Sequence, residues 1–102
     1  MKEYELYLPL NYNDGSPVEA DKIERVGELL LKRFTGLTFF PQPNKGRWKM
    51  GSVVYRDEIV IFRVHTQNTR AARRFFKRLK EERKADLQQK DILIVEKDAE
   101  VI

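Results

Sequence analysis

The sequence predicts an α+β fold: a two-layer sandwich in which an antiparallel sheet carries both helices on one face. Three observations predict it. Two segments repeat apolar residues at helical spacing, four others alternate or run as short apolar stretches, and the order is strand, helix, strand, strand, helix, strand. Each helix has a single apolar stripe, so both must cover the same sheet.

The first strand is read over 3–10, where Tyr4, Leu6, Leu8 and Leu10 alternate with Glu3, Glu5, Tyr7 and Pro9. Asn11 to Gly15 supplies turn chemistry. Ser16-Pro17-Val18-Glu19 then reads as a capping box with proline at the first helical position. The helix it opens is placed at 17–35, with Ile23, Val26, Leu30 and Phe34 on one side and Gly36 as its stop. Thr38-Phe39-Phe40 is strand-like, 41–46 is a loop holding two prolines, and 47–55 is extended. Arg56-Asp57-Glu58 is read as a tight connection into the strand Ile59–His65. Asn68 or Thr69 caps a second helix reaching 85–88, with Ala72, Phe75 or Phe76, Leu79 and Leu87 inward. Ile92 to Val95 makes the last strand. Right-handed crossovers then favour a ferredoxin-like βαββαβ arrangement, one domain over 1–102 with loose last residues.

Composition narrows the chemistry. The chain has no cysteine and a single histidine, so thiolate nucleophiles, disulfides and Cys-ligated metals are set aside. No metal or cofactor is expected, and no P-loop, dinucleotide glycine motif or nucleophile elbow occurs. The N-terminal alternation is not a signal peptide, and no apolar run is long enough to span a bilayer. A cytoplasmic protein without a membrane partner is the expectation.

Three surfaces stand out. The second helix carries Arg70, Arg73, Arg74, Lys77, Arg78, Lys80, Arg83 and Lys84 against Glu81 and Glu82. That segment is +6 in a chain of net charge +4, which leaves the rest at −2. Such a stripe is a footprint for nucleic-acid phosphates, or else a solvated face whose stems cover the core edge. The sheet face away from the helices would show Tyr7, Tyr55, Ile59, Ile61, Arg63 and His65. Ile61 and Arg63 stand where base-stacking RNA modules need aromatics, so a homodimer through this face is preferred. Lastly, Phe39, Phe40, Arg47 and Trp48 surround the proline loop and, with Arg63 and His65, are the candidate small-ligand residues. His65 lacks an orienting partner among its sequence neighbours, so no residue is assigned a catalytic role.

The run from Gly36-Leu37-Thr38-Phe39-Phe40-Pro41 to Gly46-Arg47-Trp48, with Asp57 to Ile61 and Leu87-Gln88-Gln89, resembles that of small bacterial proteins of ferredoxin-like type. The resemblance spans about two-thirds of the chain and implies no particular activity. The reading that emerges is a non-enzymatic binding or regulatory module, homodimeric through its open sheet face. A nucleic-acid-binding protein using the basic helix is the first alternative. A small-ligand binder or enzyme using the Phe39–Trp48 loop is the second.

Overall fold

Strand β1 (Lys2–Pro9) lies at the centre of a four-stranded sheet, and the two helices carry the chain across it. In chain order the elements are β1, α1 (Ala20–Arg33), β2 (Thr38–Met50), β3 (Val53–Thr66), α2 (Thr69–Asp86) and β4 (Ile94–Asp98). The computed structural model describes Met1–Ile102 apart from the side chains at 42, 43, 48, 50 and 55–57. The strands are ordered β2-β3-β1-β4, and every neighbouring pair is antiparallel. The α+β class with two helices on an antiparallel sheet therefore holds.

Alternation in β1 and β3 sends Tyr4, Leu6, Leu8, Val60, Phe62 and Val64 to one face, where all are buried. Ile23, Val26 and Leu30 of α1 and Ala72, Phe76 and Leu79 of α2 join them in the same core. Both triplets follow the three- and four-residue spacing of a helical stripe, so both helices settle on that face. Aromatic packing fixes the α2 contact, since Phe76 stacks on Tyr4 with ring centroids 4.4 Å apart.

Several boundaries differ from the sequence reading, each for a local reason. Helix α1 begins at Ala20, and its N-cap Glu19 makes no side-chain cap. Ser16 instead donates to Asp14 at 2.5 Å, and Pro17 pairs with Asn11 across a short bridge, so the capping box is spent on the turn. The predicted loop at 41–46 belongs to β2, which shifts register between Phe40 and Asn44. An edge strand tolerates prolines because one row of its backbone groups is unpaired. The reversal into β3 falls at Gly51, whose φ of +62° suits glycine, and not at 56–58. Strand β4 starts two residues later than predicted because Ile92 is buried in the core before it. At α2 the reading holds: Asn68 is the N-cap and accepts from the Ala71 amide at 3.4 Å.

Candidate active site on the open sheet face

The second face of the sheet departs furthest from a simple half-buried strand. Glu3 and Glu5 of β1 point away from the helices, yet each is only 8% exposed. Register explains how two carboxylates can be buried there. Glu3 lies between His65 and Lys97, and Glu5 lies opposite Arg63. Opposite charges facing one another across antiparallel strands attract at side-chain distance.

The result is a continuous ionic network. His65 Nε2 lies 2.9 Å from Glu3 Oε1, and Lys97 Nζ lies 2.8 Å from Glu3 Oε2. Lys97 also reaches Glu5 Oε1 at 3.3 Å, while Arg63 sits 3.7 Å from Glu3 and 3.5 Å from Glu5. The Lys97 hydrogen bond, against the opposing effect of burial and helped by His65, holds the Glu3 carboxyl below its usual range. Lys97 is pushed up by the same carboxylates. The Arg63 guanidinium also lies 5.0 Å from the ring centroid of Phe40.

Tyr7 joins this network to a cavity. Its hydroxyl donates to Glu5 Oε2 at 3.2 Å, and its ring lines a hollow of about 290 Å³. The walls are mostly apolar: Pro9 and Ile59 from the sheet, with Ile92 and Leu93 from the segment before β4. Gly46, Arg47, Gln89 and Asp91 supply polar edges. Burial, and then the Glu5 charge and hydrogen bond, raise the Tyr7 phenol above its usual value, so at neutral pH it is a proton-bearing donor. Asp91 is a charged acceptor, held below its usual range chiefly by Lys80, whose Nζ is 3.0 Å away. This volume lies just below the roughly 300–1,000 Å³ typical of small-molecule sites.

The predicted site residues are distributed unevenly. Phe40, Arg63, His65, Tyr7, Ile59 and Ile61 share the open face, and Arg47 reaches the cavity. Phe39 instead stacks on Phe62 on the helix side, with centroids 4.5 Å apart. The side chains of Trp48 and Tyr55 lie outside the described residues. The basic residues Arg70, Arg73, Arg74, Lys77 and Lys80 line a separate groove, whereas Arg78 is exposed outside it. Sequence reasoning missed Glu3, Glu5, Lys97, Gln89 and Asp91. The available signal was Glu-x-Glu in the first strand facing Arg-x-His in the third. Among the described residues no group of His and carboxylates has the makings of a metal site.

No family model matches the chain, and no curated protein matches it. One solved structure does. It is a phage SAM lyase in complex with S-methyl-5'-thioadenosine, similar over 95% of this chain and 80% of that one. The TM-score is 0.66 at 11% sequence identity, a likeness that speaks to the fold. It corrects the expectation of a non-enzymatic binding or regulatory module, since the solved structure that shares this fold is that of an enzyme, a lyase. Among the described residues no helix is long and apolar enough to cross a membrane.

Proposed function

We propose that the chain is an enzyme that binds an adenosine-type thioether or sulfonium in the Tyr7–Leu93 cavity and breaks a carbon–sulfur bond there. The cavity carries the proposal: apolar walls, one tyrosine, polar edges, and room for one nucleoside-sized ligand. The phage SAM lyase, held with S-methyl-5'-thioadenosine, indicates which ligand to try first. We also read the element and sheet order as the ferredoxin-like arrangement, which leaves one sheet face open for such a site.

The chemistry suits these surroundings. When a sulfonium loses a carbon substituent, the C–S bonding pair stays on sulfur to give a neutral thioether. The released carbon is satisfied either by an oxygen nucleophile that bonds to it, such as the substrate's own carboxylate, or by loss of a proton from the neighbouring carbon to give an alkene. Positive charge is dispersed on the way, so an apolar, water-poor cavity favours the reaction over bulk water. In this reading Tyr7, Pro9, Ile59 and Leu93 enclose the thioether and base. Asp91 accepts from ribose hydroxyls, as carboxylates do in nucleotide sites. Glu5 holds the Tyr7 hydroxyl in place, and Arg63 and Lys97 hold Glu5.

The test is calorimetric titration with S-methyl-5'-thioadenosine and S-adenosylmethionine, followed by chromatographic assay for thioether release. Leu93→Trp should fill the cavity and abolish binding, and Asp91→Ala should weaken it roughly tenfold or more. Tyr7→Phe should lower turnover more than affinity. Absence of binding at millimolar ligand together with no thioether release rejects the proposal.

A further inference from the structure

Cavities also open on the opposite side of β4, between that strand and α2. One, of about 400 Å³, is lined by Lys2, Thr69, Arg70, Arg73, Arg74, Lys77 and Glu96. A second, of about 220 Å³, shares Arg73, Lys77 and Glu96 and adds Lys80. Six cations thus surround one carboxylate, and that carboxylate is already committed. Glu96 accepts from the Tyr4 hydroxyl and pairs with Arg73 at 3.2 Å.

Pairing sorts these cations into two groups. Lys2 is tied to Asp98 at 2.6 Å and Lys80 to Asp91 at 3.0 Å, so the two ends of the groove are neutralised. Arg70, Arg74 and Lys77 have no ion-pair partner among the described residues. They recur at four- and three-residue spacing, which places them on one side of α2 over ~10 Å of helix. Like charges at that spacing repel one another, which costs stability unless an anion is present.

We propose that this groove binds a small oligophosphate, two or three linked phosphates such as those of a nucleoside triphosphate, at a site separate from the Tyr7 cavity. Two exposed guanidiniums supply planar forks for phosphate oxygens, and Lys77 adds a point charge. The length of the unpaired patch sets the size. It accommodates a few phosphates, and beyond Lys77 the groove's positive charge is already paired with Asp91. A long nucleic-acid track would need unpaired charge continuing past that point.

The probes are sodium tripolyphosphate, ATP, adenosine and a single-stranded oligonucleotide, each titrated into the full chain at low salt. Calorimetry gives stoichiometry and amide NMR gives location. The expected result is one tripolyphosphate per chain, with shifts centred on Lys2 and residues 69–77 and with affinity falling as salt rises. ATP within a few-fold of tripolyphosphate identifies the phosphates as the recognised group; much tighter ATP binding at the same amides assigns the site to a nucleotide. Arg70→Gln and Arg74→Gln should each weaken binding roughly tenfold, the weight of a charge-assisted hydrogen bond. Arg78→Gln, outside the groove, should leave it unchanged. Circular dichroism verifies folding, and if one of the two variants unfolds, the other carries the test. The proposal fails if tripolyphosphate does not bind, if its shifts map to residues 89–93, or if Arg78→Gln is equally damaging. It also fails if the oligonucleotide binds and tripolyphosphate cannot displace it.

Discussion

The two faces of the sheet bury their residues to similar depth by opposite means. On the helix side Leu8 is 0% exposed and is surrounded by aliphatic and aromatic neighbours. One residue-width away through the same strand, Glu3 and Glu5 are 8% exposed and are surrounded by Arg63, His65 and Lys97. Burial of a large apolar side chain contributes about 1.5–3 kcal/mol. A buried ion pair roughly breaks even, because desolvation offsets much of the attraction. The helix-side face therefore holds the fold together, while the open face keeps charge and a hydrogen-bonded tyrosine beside a cavity. Depth of burial alone does not say whether a residue serves stability or function.

Four measurements can break or sharpen that contrast. The largest effect belongs to the core: Phe76→Ala should cost about 3–5 kcal/mol in urea unfolding, since it removes the stack on Tyr4 and leaves a cavity. A cost below about 1 kcal/mol would mean that the helix side does not dominate. Arg63→Ala should cost less, about 1–2 kcal/mol, because Arg63 is partly solvated and Lys97 and His65 still face the two glutamates. Its effect on turnover should be the larger of the two changes, which is the reverse of the order expected of a core residue.

Acid should act through the open face. The folded-state pKa of Glu3 lies below its ordinary 4.5, so the stability linked to it is complete above that value. It is lost as pH falls through the lowered value, when the folded state must take up the proton. Unfolding curves from neutral pH downward should show the native protein losing more stability than Glu3→Gln. Parallel curves would remove Glu3 from the acid response. The smallest effect is expected at Asn68, where alanine should cost about 0.5–1 kcal/mol through the lost helix cap, with binding in the Tyr7 cavity unchanged.

Much of the architecture was legible because it rests on local periodicity. Alternation at 4, 6 and 8 and helical spacing at 23, 26 and 30 each name the buried side without any knowledge of neighbours. The misplaced boundaries share one cause: a local signal was used by a tertiary contact. The Ser16 hydroxyl serves the Asp14 turn, and the prolines fall on an edge strand that can hold them. The site was harder to see. Glu3, His65 and Lys97 are far apart in the chain and meet only through pairing on both sides of β1. The lone histidine looked unpartnered because its partner stands 62 residues away.

By itself the sequence determined an α+β chain with two one-sided helices, a basic stripe on the second, and chemistry without thiols. Those properties follow from residue identity and short-range spacing, which survive in any arrangement of the elements. Only the tertiary structure decided that the open face is an ionic network joined through Tyr7 to a cavity. It also decided that the stripe on α2 borders a groove against β4. Both depend on strand order and register, which arise from contacts between residues distant in sequence. A shift of one residue in either pairing of β1 would turn these carboxylates away from their partners.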